Sequence, residues 1–357
     1  MILNIFLPNF QDKTGHESSF INIYEKLTKK KVKINYFIPK INKVSNNKFK
    51  KIFYTNKKNS YFRKIFYVYQ NTKKIINIIN DKIKFNSSIL LDGYNIGFVL
   101  SFLLSFFFLK KKKIQFIVYY REPIFLNRYK NFFYKILFSL INKKFGNIQL
   151  LTDTKILKKK IKEFYNLKSI LVPIPHTFKG ITGNLNKKNF NLLLPGQYRK
   201  DKGIENINKF LNYNKNQKFR LKLNIGFRFL NFNNLSFFLN NLSTNKYKNL
   251  FVSSNCVLMP YDSKKYKFSS SGIFIEAVSI SKPCFVSNDT WMSSIYKNNN
   301  LSDFVVNDWS KLGIKLIQNR INSSRNKKNL NKLKLQIKKY HNARNFNKII
   351  EKIVWKN

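Results

Sequence analysis

The feature that most constrains this chain is an alternation of short apolar runs with segments of helical periodicity. Residues 2–7 (ILNIFL) end at Pro8, and a polar loop holding Gly15, His16 and Glu17 leads into the helical pattern of 20–27. Runs at 32–38, 88–91, 114–120, 148–151 and 169–172 repeat the motif, each followed by a turn or by helical spacing such as Ile156, Leu157, Ile161 and Phe164. Strands that alternate with helices pair in parallel, and a parallel sheet is covered on both faces. An α/β fold is predicted.

Pro173 and Pro175, followed by the polar stretch 179–188, read as a linker. The alternation then restarts. Strands are expected at 191–194, 218–225, 250–253, 257–259, 283–286 and 304–306, with helices at 202–211 and 272–278. Two Rossmann-like doubly wound domains facing across a cleft are the simplest account, and such sheets bind ligands beyond the carboxyl ends of their strands. Residues 311–357 are basic and helical by pattern, and read as closing helices.

Composition enters through charge. With 68 Lys and Arg against 16 Asp and Glu, the 357 residues carry a formal net charge of +52. Such a field attracts polyanions, whether lipid, nucleic acid or phosphorylated substrate. AT-biased coding would also enrich Lys, Asn, Ile and Phe wherever the fold is indifferent. Two cysteines, Cys256 and Cys284, and three histidines allow neither a disulfide framework nor a zinc-type cluster. The start lacks the basic opening of a signal peptide, so a cytoplasmic location is expected. Residues 96–109 (IGFVLSFLLSFFFL) are apolar but shorter than the roughly 20 residues of a membrane-spanning helix, and lysines occupy 110–113. A buried or interfacial helix is predicted, the latter implying peripheral contact with an anionic membrane on its inner face.

Two segments carry chemistry. In 257–292 a strand ends at Pro260, a polar loop follows, and 269–272 opens a helix with Glu276 one turn inside. Free backbone N–H groups at such a helix start suit a diphosphate, and Glu276 could accept from a hydroxyl pair. Capping by the serines is the structural alternative. In 192–203 (LLLPGQYRKDKG) a strand opens into a turn at Gly196, then presents Arg199 and Lys202 before Gly203. Two cations beyond a strand end can neutralise a departing phosphate.

Together these segments resemble the GT-B glycosyltransferases of the retaining, nucleotide-sugar-dependent kind. Residues 196–203 (GQYRKDKG) are similar to that family's glycine, basic pair and Lys-Gly segment, and 270–277 (SSGIFIEA) with Lys282-Pro283 to its donor-binding helix. Residues 12–17 (DKTGHE) resemble the loop after its first strand, and 152–165 with 171–175 the approach to its hinge. The resemblance implies an acceptor-binding domain over 1–175, a nucleotide-sugar-binding domain over 176–335, and a C-terminal helix over 336–357 packing back on the first. It implies that Arg199 and Lys202 bind the donor diphosphate, that amides of Ser271, Gly272 and Ile273 contact it beside Gly196, and that Glu276 holds the ribose. Gly15 and His16 would line the cleft.

The implied partners are a nucleotide sugar and a glycan or lipid-linked acceptor. Neither a metal nor a cofactor is implied: Asp92 and Asp153 stand singly at strand ends. In retaining transfer the leaving phosphate can itself help to deprotonate the acceptor, so no protein nucleophile is needed. His16, Glu17 and Glu122 are the candidate bases, with pairing to Arg121 the structural alternative for Glu122. Two departures stand out. Phe268 occupies the position, eight before Glu276, where the family often has glutamate, and Gln197 replaces a frequent arginine. They keep open a transferase-like scaffold without catalysis. A single-stranded nucleic-acid binder is the other rival, suggested by lysines interleaved with aromatics in 48–69. The chain shows no specific nucleic-acid signature.

Overall fold

In the computed structural model, Leu3, Ile5, Phe6 and Leu7 are all fully buried, as a strand covered on both faces requires. The structure describes all residues except 1, 11–15, 31, 41–47, 56–60, 93–94, 111–112, 147, 176–177, 179–189, 241 and 355–357; side chains 16–19, 28–30, 61–62 and 244 also lie outside the description. The chain divides into two units, Met1–Val172 with Ala343–Asn357, and Pro173–Asn342.

The first unit holds β1 (Ile2–Phe6), β2 (Lys33–Pro39), β3 (Phe49–Phe53), β4 (Ser87–Leu91), β5 (Ile114–Tyr119), β6 (Ile148–Thr152) and β7 (Ser169–Leu171). They form one parallel sheet in the order β3-β2-β1-β4-β5-β6-β7. Its helices are α1 (His16–Tyr24), α2 (Tyr61–Asn77), α3 (Ile96–Ser105), α4 (Arg128–Phe145) and α5 (Lys155–Tyr165). The apolar run at 96–109 is α3 and a following single turn, and α3 packs on both α2 and α4. Among the described residues no helix is long and apolar enough to cross a membrane.

The second unit holds β8 (Asn191–Leu194), β9 (Arg220–Asn224), β10 (Leu235–Phe238), β11 (Cys256–Met259), β12 (Cys284–Ser287) and β13 (Val305–Val306). This sheet is also parallel, in the order β10-β9-β8-β11-β12-β13. Chain direction across the sheet reverses between β8 and β11, so the loops after these strands diverge and leave a crevice. Helices α6 (Ile204–Tyr213), α7 (Thr244–Val252), α8 (Ser263–Tyr266), α9 (Gly272–Ser279), α10 (Trp291–Lys297), α11 (Ile314–Asn322) and α12 (Ser324–Tyr340) complete it. The last helix, α13 (Ala343–Val354), belongs to the first unit, where Phe346 is buried against Phe20 and Tyr24.

Segment 250–253, expected as a strand, is the end of α7 and the turn after it. Ser243 accepts from the Lys246 N–H at the start of that helix, and Tyr247 and Phe251 on the same helical face pack against Phe178. A short apolar run satisfies either period, and here the upstream cap decides. Strands β3 and β10 were not anticipated. Both are sheet edges, and their partly exposed lysine- or serine-bearing sequences lack the continuous apolar run of a central strand.

Candidate functional site

The crevice of the second unit is built from backbone constraints. Gly196, just after β8, has φ +92°, and a Cβ there would meet Ile273 Cδ1 at 3.1 Å and Lys202 Nζ at 3.8 Å. The glycine thus lets the β8 loop, the lysine and the first turn of α9 converge. Gly203 has φ +73°, and a Cβ would overlap the Pro260 carbonyl oxygen at 1.6 Å. Nothing but glycine fits, and the Asp262 N–H donates to the Asp201 carbonyl at 3.1 Å, locking the two switch-point loops together.

Lys202 is the unusual side chain. It is 6% exposed, and its ammonium sits 3.8 Å from the ring centroid of Tyr261 and 5.7 Å from that of Tyr266. Among the described residues neither a hydrogen bond nor an ion pair reaches Nζ. Cation–π attraction offsets part of the lost hydration, but burial and the nearby Arg199 charge still pull its pKa down to about 7. Arg199 is half-exposed. Its guanidinium donates to the Tyr266 hydroxyl at 2.7 Å and pairs with Asp201 at 3.2 Å, while Lys265 takes the other Asp201 oxygen at 3.0 Å. The carboxylate nearest to these cations is therefore already shared by two of them.

At the start of α9, the Ser271 hydroxyl accepts from the Phe274 N–H at 3.3 Å, the capping role foreseen for the serines. The cap leaves the N–H groups of Gly272 and Ile273 without an acceptor among the described residues. Glu276, one turn in, receives the Tyr247 hydroxyl at 2.9 Å, and burial raises its pKa to about 7 although that bond opposes the shift. Lys282, of the Lys-Pro pair, is buried, and its ammonium donates to the carbonyls of Ser254 and Val252. It closes the end of α7 and is spent structurally.

The structure thus sets Gly196 against both Lys202 and the Ile273 side chain, with Arg199 bonded to Tyr266, Gly272 and Glu276 in α9 with Ile273, and Ser271 as its cap. Gly15 lies outside the described residues, and of His16 only the backbone, the first residue of α1, is described. Sequence reasoning missed Tyr261, Tyr266, Asp201 and Tyr247. Tyr261 and Tyr266 lie in the loop already singled out, but in a chain with 16% aromatics nothing marked either ring as the partner of a cation. In the first unit, Arg121 pairs with Asp92 at 2.6 Å, not with Glu122. Asp92, which looked solitary in sequence, is fully buried and also accepts from Tyr24 at 3.4 Å.

No family model and no curated protein matches the chain. Solved structures do. Sucrose-phosphate synthase from Thermosynechococcus elongatus superposes with a TM-score of 0.73 at 10% identity, covering 99% of this chain and 98% of that one. A glycosyltransferase from Rickettsia africae gives 0.65 at 15% identity, over 100% and 99%. Anabaena HepE in complex with UDP and glucose gives 0.64 at 10% identity, over 99% of each chain. At such identities the likeness is one of architecture, and with two Rossmann-like units of matching topology the chain has the GT-B fold.

Proposed function

We propose that the protein is a glycosyltransferase that moves a sugar from a nucleotide-sugar donor to a glycan or lipid-linked acceptor, with retention, in the assembly of cell-surface polysaccharide or lipopolysaccharide. The observation that carries this reading is the buried Lys202 ammonium, reached by no hydrogen bond or ion pair among the described residues, on the Gly196 turn that also faces the Ile273 side chain at the start of α9. Such a cluster is costly unless an anion completes it, and a diphosphate supplies charge for the cations and oxygens for the N–H groups. Arg199 and Lys202 then stabilise the negative charge that grows on the leaving diphosphate, and Glu276 accepts from the ribose hydroxyls. The HepE complex with UDP and glucose makes UDP the first nucleotide to try.

Calorimetric titration of the purified protein with UDP, GDP and their sugars tests the reading. Binding of one nucleotide diphosphate is expected, weakened about 100-fold in Lys202→Ala and about 10-fold or more in Arg199→Ala and Glu276→Ala. Turnover with that donor class is expected alongside. Unchanged affinity in both cation variants would falsify the assignment of the site.

A further inference from the structure

At the edge of the first unit where its strands begin, three phenylalanines face solvent. Phe107 is 80%, Phe108 67% and Phe85 65% exposed, and Leu104 lies one helical turn before Phe108 and is also exposed. Phe85 precedes β4 by two residues, and the turn holding Phe107 and Phe108 precedes β5. Because β4 and β5 are parallel neighbours, these segments share one edge. The edge is held rigidly. Asn80 donates to the Phe108 carbonyl at 3.0 Å and accepts from the Lys110 N–H at 2.8 Å. Lys144 donates to the Phe106 carbonyl at 2.8 Å, and the Asn86 N–H donates to the Lys113 carbonyl at 2.9 Å.

The charge around these rings is predominantly positive, with Asp81 the exposed exception. Lys82, Lys84, Lys110, Lys113 and Lys143 are all exposed, and Lys144 partly so. Between Tyr54 and Arg121 the sequence holds two acidic residues, Asp81 and Asp92, and Asp92 is buried in its pair with Arg121. Exposed aromatics at a fixed edge, ringed by lysines with long apolar stems, match a surface that is apolar within and anionic at its rim.

We infer that this edge docks on an anionic lipid bilayer, with Phe107 and Phe108 entering the acyl boundary and the flanking lysines resting on the headgroups. A second copy of the chain fits less well, since two such edges would bring like charges together. The inference is independent of the transferase reading, because docking needs no donor, and one can fail without the other.

Flotation of the full chain with vesicles of phosphatidylcholine, with and without phosphatidylglycerol, tests it at physiological ionic strength. Binding is expected only with the anionic lipid. A Phe85→Ser, Phe107→Ser, Phe108→Ser triple variant is expected to melt as the native chain does and to bind about 10-fold or more weakly. Phe107→Trp is expected to add fluorescence quenched by bromine-labelled acyl chains, beyond the native tryptophan signal. Native-strength binding by the triple variant, or the absence of added quenching in Phe107→Trp, would show adhesion by net charge alone and overturn the inference. So would a native dimer that the triple variant loses.

Discussion

At the residue scale, Lys202 sets the terms. Its folded pKa of about 7 lies below the ordinary 10.5, so the folded chain holds this proton less tightly than the unfolded one. Below pH 7 the full cost of burying the ammonium is present. Between 7 and 10.5 the unfolded state binds more protons, and stability rises with pH. Lys202→Met is therefore expected to raise the melting temperature at pH 6.5 by an amount on the order of 1 kcal/mol, about 2–4 °C for a unit of this size, and to lose that advantage by pH 9.5. Paired thermal melts at the two values check it. The same variant is expected to lose nucleotide affinity, the trade that the proposed role of Lys202 imposes. Donor affinity in the native chain is expected to peak near neutrality: Lys202 is protonated below about 7 and Glu276 ionised above about 7. Titrations across pH 5.5–8.5 that give a flat profile would contradict both roles. Of these groups, Arg199 and Lys202 were singled out by the glycine-bounded spacing of 196–203 beyond a strand, and Glu276 by its place one turn inside a helix start, since a lone lysine among so many says little. Tyr261 and Tyr266 were not, since one aromatic among so many announces nothing until its ring is found under a cation.

At the element scale, two glycines do different work. Gly203 lets two loops approach until their backbones nearly touch, so Gly203→Ala is expected to destabilise the second unit by roughly 3 kcal/mol or more and to lower soluble yield. Gly196 faces only the end of the Ile273 side chain and Lys202, so Gly196→Ala adds mainly the strain of its positive φ and crowds the crevice. A folded protein with weakened nucleotide affinity is expected for that variant, read by circular dichroism and titration. The sequence displayed the central strands plainly because burial on both faces demands unbroken apolar runs. It hid β3 and β10, which satisfy one partner strand and face water, and it misassigned 250–253, where four residues fit both periods.

At the scale of the whole molecule, the closing helix completes a core begun near the first residues. Phe346 is fully buried among Phe20, Tyr24 and Tyr119, Asn347 donates to the Ile23 carbonyl at 3.0 Å, and Gln115 donates to the Ile353 carbonyl at 3.2 Å. Phe346→Ala is expected to cost about 3–5 kcal/mol in the first unit while leaving nucleotide binding by the second measurable, with separate melting transitions as the readout. Helical periodicity made this tail legible as helix. Its destination came only through the family resemblance, because a hydrophobic stripe by itself names no partner.

That return of the chain fixes an order of events during synthesis. The first 172 residues leave the ribosome lacking the helix that seals them, and the missing piece arrives only after the entire intervening unit has been translated, roughly 10–30 s later at ordinary elongation rates. Throughout that interval the aromatic groove meant for Phe346 is open to solvent and to other nascent chains. The second unit, contiguous in sequence, waits for nothing encoded downstream of Asn342.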